Sequence, residues 1–309
     1  MEELITLDYG SGGKKTASLI EKLILPQLDN PALRQLGDGA VVPGGEELVF
    51  STDSFVVSPR FFPGGDIGKL AVCGTVNDIC MSGGEPRWLS LALILEEGLP
   101  AAELEQILSS VAKAAKEAGV CIVTGDTKVV EKGRGDGIYI NTAGIGVLRQ
   151  PGLSPRAIRP GDRVLVSGTV GDHGAAVMLA RNQNLVQGEL KSDCAPLHRL
   201  CAALRQLGSG LRVLRDPTRG GVATTLCEFV EGTALSILLE EEAIPVRPAV
   251  ASACDILGLD PLYCANEGKL LAVVAPERAE EALALLRGLP EGENAAVIGT
   301  VGEQWPGRV

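Results

Sequence analysis

The sequence predicts an α/β or α+β layer fold divided into two domains. Three observations carry this. Runs of strand length alternate with segments of helical period, acidic residues follow several strand ends, and a turn-rich stretch interrupts the chain near its middle. The chain is organised around residues 69–87, KLAVCGTVNDICMSGGEPR. Leu70, Cys73, Val76 and Cys80 recur at three- and four-residue steps, which predicts a helix with one apolar face. Gly83 and Gly84 end it, and Pro86 prevents its continuation. Asn77 and Asp78 fall about one turn before that stop. A carboxylate there faces the negative end of the helix dipole, which costs roughly 0.3–1 kcal/mol. A bound cation reverses that sign, so Asp78 is a candidate ligand; the alternative is a solvated aspartate near a helix end.

In chain order, LDYGSGGKKT (7–16) brings three glycines and two lysines ahead of a helical segment, ASLIEKLILPQL. It looks like a phosphate cradle, but Asp8 breaks the Walker spacing, and a flexible arm is the alternative. LGDGAVV (36–42) follows, then ELVFSTDSF (47–55), an alternating strand that ends in a carboxylate, and WLSLALIL (88–95), another strand. Residues 101–119 form an amphipathic helix, with Leu104, Ile107, Leu108 and Val111 on one face and Gly119 as its stop. It leads into VCIVTGDTKVV (120–130), expected as a buried strand. GIYINTAGIGVL (137–148) completes a first domain of residues 1–150.

RQPGLSPRAIRPGD (149–162), with three prolines and two glycines, marks the boundary to a second domain of residues 151–309. RVLVSG (163–168) is a strand, and TVGDHGAAVMLARN is a Gly-rich turn into a helix whose spacing is not the dinucleotide fingerprint. VLRDPTRGGVATTLCEFVEGT (213–233) places Asp216 before Pro217, a glycine pair and a helix, where a cap-type role is one reading of Asp216. Residues 262–289 give a strand then a helix, with Glu267-Gly268-Lys269 at the strand entry. The last segment is a strand and a loose tail. No fixed-period repeat or low-complexity tract is present.

Composition narrows the function classes. Hydrophobic residues at 45% permit sizeable cores, and aromatics at 3% argue against stacking platforms for single-stranded nucleic acid. A net charge of −11 repels nucleic acid and anionic membranes. Without a basic, apolar leader or an 18-residue apolar run, a soluble cytoplasmic chain is expected. The eight cysteines include no C-x-x-C pair and there are two histidines, which argues against zinc or iron–sulfur frameworks. Most of the cysteines read as reduced core residues.

Six segments, DYGSGGK, LGDGAVV, STDSF, NDICMSGG, VTGDTKVV and DPTRGGVA, occur together and in this order. The set resembles the HypE family of hydrogenase maturation proteins, in the superfamily of aminoimidazole ribonucleotide synthetase and selenophosphate synthetase. The match runs from Asp8 to about Thr300. It implies a two-domain PurM-like fold: an N-terminal half-barrel sheet that dimerises and a C-terminal α/β layer domain. It also implies an ATP-dependent carbamoyl dehydratase. In that family the carbamoyltransferase HypF loads a C-terminal cysteine, and ATP with Mg²⁺ drives dehydration of the S-carbamoyl group to a thiocyanate. The cyanide then passes through a HypC–HypD complex to the iron of [NiFe] hydrogenase.

The resemblance assigns ATP binding to Gly12, Gly13, Lys14, Asp38, Asp53, Asn77, Asp78, Asp126 and Asp216, with Asp38, Asp78 and Asp216 as Mg²⁺ ligands. Carboxylates converging in one cleft repel by about 4 kcal/mol per pair at ~4 Å, which a divalent cation with oxygen ligands relieves. Lys128 and Glu267 are implied to lie nearest the thiocarbamate, Glu267 as general base and Lys128 as its electrostatic partner. Two departures stand out. The chain ends at Val309 with no cysteine after Cys264, so self-cyanation is not expected of it; and Ser11 replaces the cysteine or selenocysteine of the selenophosphate relatives, which argues against selenium chemistry. A thiamine-phosphate kinase-like phosphotransferase and a non-catalytic docking scaffold are the alternative functions.

Overall fold

The computed structural model describes residues 4–6, 18–31, 34, 47–181 and 190–309. Gly12, Gly13, Lys14 and Asp38 lie outside the described residues. The chain forms two compact units, one from Met1–Phe61, Gly65–Ile79 and Pro86–Val147, the other from Phe62–Gly64, Cys80–Glu85 and Leu148–Val309. Among the described residues no helix is long and apolar enough to cross a membrane.

The first unit is built on β1 (Leu48–Phe55), α1 (Ile67–Met81), β2 (Gly84–Glu96), α2 (Ala101–Ala118), β3 (Cys121–Val130) and β4 (Ile138–Leu148). The strands form a sheet in the order β1-β4-β2-β3, with β1 antiparallel to β4 and β2 parallel to β3 across the α2 crossover. Leu104, Ile107, Leu108 and Val111 of α2 are fully buried, each worth about 1.5–3 kcal/mol of apolar transfer. Gly119 ends α2 at φ +70°.

Alternation along the strands gives this sheet a covered and an open face. Leu89, Leu91, Leu93 and Leu95 are buried, whereas Ile94 is 43% exposed and Phe50 67% exposed. Three expectations are corrected here. Instead of one apolar face, α1 is buried on every side, with only Lys69 and Asp78 outside the buried class. The strand expected at 88–95 begins at Gly84 and takes in Pro86. The strand expected to be buried is β3, at the sheet edge, where Ile122 is the one buried residue.

The second unit contains β5 (Arg163–Val166), α3 (Asp172–Arg181), α4 (His198–Leu204), β6 (Leu211–Arg215), α5 (Gly221–Val230), β7 (Ser236–Leu239), α6 (Pro248–Leu257), β8 (Leu271–Val274), α7 (Ala279–Arg287) and β9 (Ala296–Gly302). Its sheet runs β6-β8-β5-β9-β7, with every neighbouring pair antiparallel. Val164, Val166, Val213, Leu271 and Val273 pack with Val222, Leu226 and Phe229 of α5 on one side. The other side meets α7, which also packs on α4. Covered on both sides, β8 reads as an uninterrupted apolar run, LLAVVA, rather than an alternating one.

Candidate functional site

In the first unit the candidate carboxylates fall on two different faces of the sheet. Ser51 and Asp53 pair across to Gly144 and Thr142, whose side is the one covered by α1. Ser51 Oγ donates to Asp78 Oδ2 at 2.8 Å. Asp53 Oδ1 accepts the N–H of Ser54 at 2.8 Å, and its Oδ2 stands 3.7 Å from where a Cβ on Gly74 would be. Such a Cβ would also approach the Phe55 ring to 2.8 Å, so glycine is what lets α1 lie this close to β1. Gly74 and Asp78 are four residues apart on one helix flank, so Asp53 and Asp78 line the same flank one turn apart. Asn77 beside them is buried. Ser51 was invisible to sequence reading, because a serine in an alternating strand carries no signal of its own.

Asp126 and Lys128 project from the open face instead, since they pair with Ala92 and Ile94 of β2 rather than with its buried leucines. Lys128 Nζ lies 2.8 Å from both carboxylate oxygens of Asp126. That charged hydrogen bond, with a smaller contribution from the N–H of Thr127, holds the Asp126 carboxyl below the usual carboxylate range. The site therefore supplies an ammonium already matched to a carboxylate, on a strand edge.

In the second unit, Asp216 follows β6 and is 6% exposed. It is not a cap: α5 begins behind Gly220, whose φ of +80° only glycine adopts easily, with no side-chain cap. The glycine pair takes that turn. Asn266 ties this segment to the Glu267 loop. Its N–H and its Nδ2 both donate to the Pro217 carbonyl at 3.1 Å, Nδ2 also reaches the Cys264 carbonyl at 3.1 Å, and Oδ1 accepts from Gly171 N–H at 2.8 Å. Asp216 and Glu267 are thus brought together through one buried asparagine. The sequence signal for Asn266 is its position immediately before Glu267-Gly268-Lys269.

A buried polar group surrounds the loop. Asp193 Oδ1 accepts the N–H of Glu267 at 3.1 Å, and Asp193 Oδ2 lies 3.4 Å from Lys269 Nζ. His173 Nδ1 and Ser192 Oγ are 2.8 Å apart; burial pushes the His173 pKa down, so its ring is neutral near pH 7. Burial likewise pushes the Asp172 carboxyl up, against a hydrogen bond from Thr169 and the charge of Arg247. Six of the eight cysteines are buried and all eight are free thiols.

Chemically, Asp53 and Asp78 offer hard oxygen ligands on one flank. Among the described residues no three of His, Cys, Asp and Glu gather as a metal cage, so a cation on that flank would be held by one or two carboxylates and complete its shell with substrate oxygens.

Residues 36–148 match the AIR synthase related protein N-terminal domain, and residues 159–309 match the C-terminal domain of the same family. The carbamoyl dehydratase HypE of Cupriavidus necator is 51% identical over 300 residues, 96% of this chain and 86% of that protein. A crystal structure of HypE in complex with ATP superposes with a TM-score of 0.94 at 50% identity, over 98% of this chain and 92% of that one. HypE in a HypE–HypF complex matches at 0.81 and 50% identity, over 93% and 94% of the two chains. A thiamine-monophosphate kinase from Stenotrophomonas maltophilia, at 0.71 and 19% identity over 99% and 98%, shares the fold alone. Half the residues are identical to a HypE protein over nearly the whole chain, across both halves of the AIR synthase model, and so the chain belongs to the HypE carbamoyl dehydratases of the AIR synthase related family.

Proposed function

We propose that this chain uses ATP to dehydrate an S-carbamoyl cysteine to a thiocyanate, in the synthesis of the cyanide ligand of [NiFe] hydrogenase. The single observation that carries the reading is the 50% identity and 0.94 TM-score to HypE in complex with ATP. The chemistry is coherent. The carbamoyl oxygen attacks the γ-phosphorus of ATP and ADP leaves. The phosphorylated oxygen then departs as phosphate while the nitrogen gives up two protons, closing the C≡N bond. Such a transfer depends on positioned cations and donors rather than on a protein nucleophile.

Glu267 takes a proton from the nitrogen, and Lys128, oriented by Asp126, holds the thiocarbamate electrostatically. Asp78, kept in place by Ser51, and Asp53 face the phosphates on the α1 flank; Asn77, Gly12, Gly13, Lys14 and, on the open face, Asp126 are assigned to the nucleotide by resemblance alone. The oxygen-only donors at Asp53 and Asp78 suit Mg²⁺, which would neutralise phosphate charge there; the resemblance assigns it Asp38, Asp78 and Asp216. Asp38 and Asp216 enter that set on the resemblance alone.

HypF is the proposed source of the carbamoyl group and HypC–HypD the proposed acceptor of the cyanide. A homodimer is proposed because the open face of the first sheet leaves Phe50 67% and Leu48 48% exposed on β1 and Ile94 43% exposed on β2, with β4 between them. The kinase-like alternative rests on fold alone, and no observation favours the scaffold. The test supplies a peptide ending in S-carbamoyl cysteine with ATP and Mg²⁺: the expected result is loss of one water from the peptide for each ADP formed. ATP turnover without water loss would remove the dehydratase reading.

A further inference from the structure

We infer that Asp193 is a positioning residue for Glu267, clasping its backbone so that the carboxylate is presented at a fixed place. The inference rests on the reading of Glu267 as the proton acceptor. Its ground is the way segment 193–195 grips the loop. Asp193 Oδ1 takes the Glu267 N–H at 3.1 Å, and the N–H of Ala195 donates to the Glu267 carbonyl at 3.2 Å, so both backbone polar groups of Glu267 are held by the same short segment.

Behind them the fit is tight. A Cβ on Gly268 would sit 1.8 Å from the Asp193 carbonyl oxygen and 2.9 Å from the Ala195 nitrogen, so only glycine passes under the clasp. The Asp193 side chain is 1% exposed, and Lys269 Nζ lies 3.4 Å from its other oxygen while donating to the Gly268 carbonyl at 3.4 Å. Asn266 anchors the residue before Glu267 to the Pro217 carbonyl and the Gly171 N–H. Residues 266, 267, 268 and 269 are each fixed by a buried partner.

A charged acceptor on a backbone N–H makes a stronger bond than a neutral carbonyl would. Here that acceptor is spent on the one residue of the loop whose carboxylate has chemistry to do. Displacing a reacting group by about 1 Å costs on the order of 10²-fold in rate.

Three variants of the full chain decide it, assayed with the S-carbamoyl cysteine peptide. Asp193→Ala, which removes the acceptor, should lower kcat by about 10- to 100-fold and leave the KM for ATP within about twofold. Asp193→Asn, whose side-chain oxygen can still accept the Glu267 N–H, should recover most of that loss. Glu267→Gln should abolish dehydration. If Asp193→Ala fails to fold because Lys269 is left unpaired, Asp193→Ala with Lys269→Met, compared with Lys269→Met alone, carries the same expectation. Full activity in the alanine variant beside an inactive Glu267→Gln overturns the positioning role alone. An asparagine variant as slow as the alanine variant overturns it too, because the loss would then belong to the ion pair. Full activity in Glu267→Gln removes the base reading and the inference with it.

Discussion

Asn266 donates twice to the carbonyl oxygen of Pro217, once from its backbone N–H and once from Nδ2, each at 3.1 Å. Through this contact the turn that carries Asp216 and the loop that carries Glu267 are one structure, although the two residues are far apart in the sequence. Asn266 is completely buried, and every polar atom of its side chain is used.

Asn266→Ala therefore takes the side-chain partner from the Gly171 N–H and the Cys264 carbonyl, while the Pro217 carbonyl keeps the backbone N–H of residue 266. A stability loss of about 3 kcal/mol is expected, since one unsatisfied buried group costs roughly 1–3 kcal/mol. Urea unfolding of the variant against the parent chain measures it. A loss below about 0.5 kcal/mol would mean that the two segments are held by something else.

Asp78→Asn keeps the volume and can still accept from Ser51 Oγ but removes the charge. Mg²⁺-dependent ATP binding should be lost while the unfolding midpoint moves little, because Asp78 is one of two α1 residues outside the buried class. Ser51→Ala removes one hydrogen bond to the carboxylate without neutralising it and should weaken binding by a smaller factor, about tenfold or less. Calorimetric titration with Mg·ATP separates the two; parental affinity in Asp78→Asn would contradict its place in the nucleotide site.

Lys128 and Asp126 are 64% and 63% exposed, so their ion pair is worth under about 1 kcal/mol. Because the Asp126 pKa is lowered in the folded chain, that small contribution is present above the ordinary carboxylate pKa of about 3.9 and is lost as the pH falls through the folded value. Lys128→Met should leave stability at pH 7 nearly unchanged and flatten the acid limb slightly, yet cut dehydration sharply. Denaturation at pH 7 and pH 3, run beside the peptide assay, tests both halves. Unimpaired dehydration would remove Lys128 from the site.

Phe50→Asp places a charge on the open sheet face and should convert a homodimer of about twice 32.1 kDa into monomer. Light scattering at micromolar concentration measures it. A parent chain that is already monomeric would contradict the pairing of open faces.

What could be read from the sequence depended on how local the cause was. Helix Ala101–Ala118 was legible from its apolar stripe and its glycine stop, because both signals lie within the element. The single stripe expected of Ile67–Met81 fell short, since Gly, Ala, Thr and Asn on its other faces are small enough to be buried as well. The edge position of Cys121–Val130 depends on strand order, and an apolar run does not encode order. Asp193 was not legible at all: its partner Glu267 lies 74 residues away, and nothing near Asp193 marks the contact. Asp78 was legible as an anomaly near a helix end, and its partner Ser51 was not.

The most direct test of the central claim is the intact mass of a peptide ending in S-carbamoyl cysteine after incubation with this chain, ATP and Mg²⁺. The account expects a product lighter by one water, formed in step with ADP and absent when ATP is withheld. A peptide of unchanged mass while ATP is consumed would contradict it.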